Sequence, residues 1–253
     1  MSIHQMFLGF PPPSSGAAPA IETNGLIAYW DAIPANVSGE YVSDTSGNGW
    51  SSVEAKWSGA SNNYNANRNG GAFECPFKST AYNYFDLGDP IVFGTGGSNN
   101  QGTEFTFFIG IKYPNGVADS YAMFFTGQDQ NNFIGQSTGG GWRIDSNQDL
   151  KADASGTDIG TGLNVIHVTM DSTGYVKWYL NGSFNADCYY RGQSGQWNGD
   201  NIIINSMNSY PPPGANMSYG SQHYWYFSGV YNRVLTATEI ASNTAIHNTR
   251  LGI

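Results

Sequence analysis

Phe105, Phe107, Ile109, Ile111 and Tyr113 alternate with Thr106, Phe108, Gly110 and Lys112, and no other feature of the sequence restricts its fold as tightly. Successive side chains of a β-strand point to opposite faces, so a sustained period of two puts one face on a core. The same period returns in Ile166, Val168 and Met170, and again in Val176, Trp178 and Leu180. Asp171-Ser172-Thr173-Gly174 lies between these two runs and has the length and closing glycine of a hairpin loop. Composition agrees with short strands and many tight turns, because only 11% of the chain is charged and it contains 33 glycines. Gly and Asn accept the positive φ that such turns need, whereas long helices are poorly served by this mixture. The expectation is an all-β chain, and a sandwich of 253 residues commonly forms one domain.

Leu26-Ile27-Ala28-Tyr29-Trp30 is the first buried-strand candidate, and Asp44-Thr45-Ser46-Gly47-Asn48-Gly49 is a dense turn signal. Further short strands are expected near 82–87, 121–126, 132–135, 142–145, 201–205 and 223–231. Thr236-Ala237-Thr238-Glu239 fits a capping box and leads into Ile240–Ile246. One short helix is therefore expected near the C-terminus, on the surface of the sandwich because polar residues dominate it. Residues 1–24 read differently. Met6, Phe7, Leu8 and Phe10 form an apolar patch just ahead of Pro11, Pro12 and Pro13. Consecutive prolines hold an extended polyproline conformation and cannot join a central strand. This segment reads either as an assembly arm, an apolar plug on a semi-rigid spacer, or as an ordinary loose terminus. The division expected is an extended Pro-rich arm over 1–24 and one β-sandwich domain over 25–253.

The net charge is −9 and the ten basic residues are scattered singly. No basic patch exists to neutralise phosphates, so no nucleic-acid partner is expected. No apolar run approaches the roughly 20 residues of a membrane helix, and no membrane partner is expected. The opening residues have neither the basic nor the apolar region of a secretory signal. Cys75 and Cys188 match no metal-ligand spacing. Two buried thiols and one long-range disulfide both remain open readings.

The order of motifs resembles that of the laminin G-like, concanavalin A-like domains. Gly25-Leu26-Ile27-Ala28-Tyr29-Trp30 resembles their opening strand, and Asp44–Gly49 the turn that follows it. Phe85-Asp86-Leu87-Gly88-Asp89 and Phe105–Lys112 are similar to the next two markers, although the second lacks the family's Trp. Asn164–Asp171, continuing through Gly174 to Trp178-Tyr179-Leu180-Asn181-Gly182, resembles the central hairpin. Val230-Tyr231-Asn232-Arg233-Val234-Leu235-Thr236-Ala237-Thr238-Glu239-Ile240 resembles the closing segment. The resemblance spans residues 25–246 and implies a two-sheet antiparallel jelly-roll sandwich. Such domains occur in lectins, adhesion modules, glycosidase accessory domains and bacteriophage virion proteins, so the fold alone does not choose a function.

Glycosidases of this general fold need two carboxylates flanking one bond, set on a strand as Glu-x-Asp-x-x-Glu or Glu-x-Asp-x-Glu. No such cluster occurs, and Glu40, Glu54, Glu74, Glu104 and Glu239 are scattered. The chain is therefore expected not to be an enzyme. His167 has no acid or Cys partner fixed by spacing and reads as a core or rim residue, and His223 and His247 offer no metal pair. The resemblance implies a calcium ion between the Asp44 turn and an acid upstream of the closing Tyr-Asn-Arg. There the acidic pair is replaced by Tyr226-Phe227, and losing an anionic ligand weakens such a site. Asp44 as a turn-forming side chain is favoured over Asp44 as a metal ligand, and no other cofactor is expected.

Trp50, Trp57, Tyr189, Tyr190, Trp197 and Tyr210 stand in Gly/Asn/Ser-rich surroundings. Trp50, Tyr190, Trp197 and Tyr210 are the candidate contacts for a glycan or a protein partner, where Tyr and Trp are enriched. Tyr210-Pro211-Pro212-Pro213-Gly214 reads as a stiff exposed loop. The arm and the Asn/Gly/Ser/Tyr-rich composition point to a bacteriophage virion structural protein: a capsid decoration, knob or tail-associated subunit. Its expected partners are other virion proteins or copies of itself, with host glycans as a further ligand. The alternative is a carbohydrate-binding or adhesin module on a bacterial surface or secreted.

Overall fold

The computed structural model describes residues 20–57, 63–75, 83–93, 104–116, 121–126, 133–137, 141–146, 150–189, 202–207 and 222–253. The expected arm residues Met6–Pro13 and the expected contacts Tyr190, Trp197 and Tyr210 lie outside them. The strands are β1 (Leu26–Asp31), β2 (Val37–Ser38), β3 (Tyr41–Val42), β4 (Val53–Trp57), β5 (Tyr64–Asn65) and β6 (Ala72–Cys75). There follow β7 (Asn83–Phe93), β8 (Phe105–Lys112), β9 (Tyr121–Thr126), β10 (Phe133–Ser137), β11 (Gly141–Ser146) and β12 (Leu150–Ser155). The last are β13 (Leu163–Met170), β14 (Tyr175–Leu180), β15 (Ser183–Tyr189), β16 (Ile202–Met207) and β17 (His223–Tyr231), before one α-helix, α1 (Ala237–Leu251).

The strands form two sheets. One runs β15-β14-β13-β8-β17-β6-β5, with β1 also paired to β17; the other runs β12-β11-β10-β9-β16-β7-β4-β3-β2. Every described pairing is antiparallel. The fold is the all-β sandwich expected, with one C-terminal helix. Its register follows from the alternation already seen. Ile109 pairs with Ile166 and Phe107 with Val168 across β8 and β13, and Val168 pairs with Trp178 across β13 and β14. These side chains share one face and meet Phe85, Leu87, Ile91, Phe125, Ile134, Trp142 and Ile144 of the opposite sheet. Aromatic contacts join the two layers: Phe107 stacks on Phe125 at 4.8 Å between ring centroids, and Trp178 meets Trp142 at 5.2 Å.

Local chemistry sets the turns of the central hairpins. In the β13–β14 turn, Asp171 Oδ1 accepts from the Thr173 and Tyr175 N–H groups at 2.8 and 3.1 Å. Between β14 and β15, Asn181 and Gly182 both have positive φ, 52° and 82°. Two such residues make the hairpin turn whose twist matches the strands, and Asn-Gly is its preferred sequence.

A second apolar layer lies on the outer face of the first sheet, beneath α1. Phe108 on β8 pairs with Gly229 on β17, and Phe227 on β17 pairs with Gly110 on β8. Each ring lies over the opposite glycine: a Cβ at Gly229 would stand 2.2 Å from the Phe108 ring, and one at Gly110 2.4 Å from the Phe227 ring. The helix begins with the expected capping box, in which Glu239 N–H donates to Thr236 Oγ1 at 3.3 Å and Thr236 N–H donates to Glu239 Oε2 at 2.7 Å. It is longer than the sequence pattern predicts and it is not solvent-facing all round. Ile240, Asn243, Thr244, His247 and Leu251 form a buried stripe at helical spacing. That stripe is largely polar, so its composition conceals it.

The helix is held at both ends. Asn243 Nδ2 donates to the Tyr231 hydroxyl at 3.0 Å, and that hydroxyl donates to the Glu22 carbonyl at 2.7 Å. Glu22 N–H returns to Asn243 Oδ1 at 2.8 Å, so residues just ahead of β1 are tied to the helix. At the far end, Arg250 Nη2 and Nε reach Asp31 Oδ1 at 2.7 and 3.0 Å. Arg250 also donates to the carbonyls of Asn69 and Gly71 at 2.8 and 3.1 Å. Cys75 is buried on β6 and Cys188 half-buried on β15, with four strands between them in one sheet, and no disulfide joins them. Among the described residues no helix is long and apolar enough to cross a membrane.

Candidate functional site

Asp44 sits where β1 meets the turn that follows it. Its Oδ1 accepts from Tyr29 N–H at 2.9 Å and Ser46 N–H at 3.0 Å; its Oδ2 accepts from Ser46 Oγ at 2.8 Å and Trp50 N–H at 3.2 Å. Four donors occupy both oxygens, and a cation would have to displace them. Asn48 Nδ2 extends the knot to the carbonyls of Leu26 and Ile27. Tyr226 and Phe227, at the position where the resemblance implies an acidic pair, are fully buried. Among the described residues no group of three or more His, Cys, Asp or Glu is placed to hold a metal. Trp50 is half-buried and packs against the inter-sheet core instead of standing free on its loop.

Other ionisable side chains are also committed to holding the fold. Asp31 is bound by Arg250 and accepts from the Tyr29 hydroxyl at 3.0 Å. Glu239 pairs with Arg233 at 2.7 Å, and this guanidinium holds the carboxyl down at about 2. His167 and His247 are buried between β13, β8, β17 and α1. His247 stacks on Phe227 at 3.9 Å, and Phe108 lies between the two imidazoles, 5.7 Å from His167 and 5.5 Å from His247. Neither nitrogen of His167 has a hydrogen-bond partner, nor does His247 Nε2. Burial pushes His167 down to about 3 and His247 well below the usual imidazole value, with Arg250 and His167 adding to the second shift. Both rings are packing groups, as His167 was expected to be.

Among the described residues, exposed aromatic side chains gather on the outer face of the β14–β15 hairpin. Val176 and Trp178 face the core, so Tyr175, Lys177 and Tyr179 face outward. Across the hairpin Tyr175 pairs with Tyr189, Lys177 with Asp187, and Tyr179 with Phe184 after a bulge. The Tyr175 and Tyr189 rings lie 4.7 Å apart and those of Tyr179 and Phe184 6.1 Å apart, edge to face. The Tyr175 hydroxyl donates to Asp187 Oδ2, which raises the tyrosine to about 12, and Lys177 Nζ lies 5.3 Å from the centroid of the same ring. Phe184 is 55% exposed and Tyr189 59%, Tyr175 is half-buried, and Tyr179 is buried with the apolar layer beneath α1. The sequence analysis singled out Tyr189 but missed Tyr175, Tyr179 and Phe184. Their signal was present for two of the three: Tyr175, Lys177 and Tyr179 are the out-of-phase partners of Val176, Trp178 and Leu180.

The fold and this surface define a class: an antiparallel β-sandwich with an exposed aromatic face. Known structures carry that fold. The chain superposes on Trypanosoma rangeli sialidase with a TM-score of 0.58 at 14% identity, covering 95% of this chain and 35% of the sialidase. It matches the binding domain of botulinum neurotoxin serotype D/C with a TM-score of 0.57 at 11% identity, covering 89% of this chain and 52% of that domain. The binding domain of Paraclostridial mosquitocidal protein 1 gives 0.58 at 15% identity, covering 88% and 52%. The chain thus spans about a third to a half of the structures it resembles. At these identities the likeness is one of fold. No family model matches the sequence, and no curated protein matches it.

Proposed function

We propose that this chain is a non-catalytic recognition module, a concanavalin A-like, laminin G-like sandwich that serves as a virion structural subunit and presents a glycan-binding face. One observation carries the recognition reading. Among the described residues Asp31, Asp44, Glu239, His167 and His247 are tied into turns, ion pairs and packing, while Phe184 and Tyr189 stand open on β15. Support for the virion reading comes from the sequence: the apolar patch and triproline of residues 6–13 suit an anchor. Anchoring one segment raises the effective concentration of every further contact.

The test has two arms. Deleting residues 1–20 should abolish incorporation into particles while leaving the far-ultraviolet circular dichroism of the domain unchanged; retained incorporation would refute the anchor. The full chain should bind on a glycan array and show no turnover of aryl glycosides. Turnover would overturn the non-catalytic reading. The second reading, a carbohydrate-binding or adhesin module on a bacterial surface, is favoured by the same open aromatics. It predicts glycan binding with no particle incorporation at all.

A further inference from the structure

We propose that the outward face of β14 and β15 is the ligand-binding surface, and that it takes a neutral saccharide chain; this rests on the recognition reading above. The strip has the Tyr175–Tyr189 pair at one end, Phe184 at the other with its ring edge-to-face on the buried Tyr179, and the Lys177–Asp187 cross-strand pair between them. Tyr175 and Tyr179 are four residues apart on one strand, a span of about 13 Å at the rise of a β-strand. An aromatic–polar–aromatic surface of that length matches a short oligosaccharide. Each pyranose offers an apolar C–H face to a ring and a rim of hydroxyls that both donate and accept. Asp187 can accept from such a hydroxyl, and Lys177 can donate to one.

Area decides against a protein partner. Burying an aromatic side chain removes roughly 150–250 Å² from water, so Phe184 and Tyr189, each a little over half exposed, offer on the order of 100 Å² apiece. With the partly covered Tyr175 and Lys177 the strip supplies on the order of 300 Å². That is less than half of the ~800 Å² per partner that a stable protein interface buries. It is ample for a small ligand. Charge decides the class of sugar. The strip carries one cation beside one anion, and the chain as a whole carries −9, which repels a carboxylated or sulfated glycan. Tyr175 is also pre-set: its hydroxyl is held by Asp187 and its face is flanked by Lys177, so little side-chain freedom is lost on binding.

The experiment is an array of neutral and sialylated or sulfated glycans probed with the full chain, followed by calorimetric titration of the best neutral hit. Variants Tyr189→Ala, Phe184→Ala and Lys177→Ala should each weaken binding at least tenfold, Tyr189→Phe should retain it, and Trp50→Phe should leave it unchanged. Circular dichroism and urea midpoints confirm that each variant folds. Wild-type binding to a neutral glycan that survives all three strip substitutions would overturn this site and leave the recognition reading standing. Binding confined to acidic glycans would overturn the ligand class. Absence of binding to any glycan would overturn both this inference and the glycan part of the reading on which it rests.

Discussion

Acid should loosen the layer between α1 and the sheet, and the size of the effect follows from two buried imidazoles. His167 is held at about 3 by burial and His247 is held well below its usual value. In the unfolded chain both titrate near 6.5. Below that pH the unfolded state binds protons that the folded state refuses, so stability falls as pH falls. For His167 the loss begins near pH 6.5 and continues to about 3. At pH 5 the His167 imidazole costs about 2 kcal/mol relative to pH 7.5. His247 adds a cost of the same sign, and the His167 contribution alone is a sizeable part of the 5–15 kcal/mol typical of a domain. The groups facing the pair are Tyr29, Arg250 and, through Arg250, Asp31, none of which is a cationic imidazole's natural partner except Asp31, already bound at 2.7 Å. The assay is the urea midpoint between pH 7.5 and 5 for the native chain, His167→Phe, His247→Phe and the double variant. Glu239 does not confuse this window, because its folded value is depressed to about 2 from 4.5 and its stabilisation is lost only below about pH 4.5. His4 and His223 remain in every variant and cancel. His167→Phe should remove about 2 kcal/mol of the stability lost between pH 7.5 and 5, and His247→Phe should flatten the slope in the same direction. A double variant with the native slope would refute the claim that these rings are buried neutral.

Three further outcomes are expected. Arg250→Ala should cost about 3 kcal/mol, because it strands the buried Asp31 carboxylate; Arg250→Met with Asp31→Asn should cost clearly less in the same urea titration. Gly229→Ala should cost about 1–3 kcal/mol by driving a methyl into the Phe108 ring, and adding Phe108→Leu should return part of it. Asp44→Ala should cost about 1–3 kcal/mol through its orphaned backbone N–H donors, while millimolar calcium should leave the melting temperature of the native chain unchanged. A calcium-dependent rise in that temperature would show Asp44 to be a ligand.

What the sequence by itself determined is whatever depends on near neighbours along the chain. Alternation over Phe105–Tyr113 and Ile166–Leu180 decided which side chains face the inter-sheet core, because the strand period is a property of the backbone. Asn181-Gly182 and Thr236–Glu239 decided a turn and a helix start, because their hydrogen bonds close within a few residues. The Asp44 turn was readable for the same reason. What only the tertiary structure decided is whatever depends on which strands and layers meet. The buried stripe of α1 is Ile, Asn, Thr, His and Leu, and nothing in that composition marks it as buried until Phe227 and Tyr231 lie beneath it. The reciprocal cover of Gly110 by Phe227 and Gly229 by Phe108 requires β8 and β17, more than a hundred residues apart in sequence, to pair in one register. The binding strip was half legible: period two turned Tyr175 and Tyr179 outward, but only the bulged pairing with β15 set Phe184 and Tyr189 beside them.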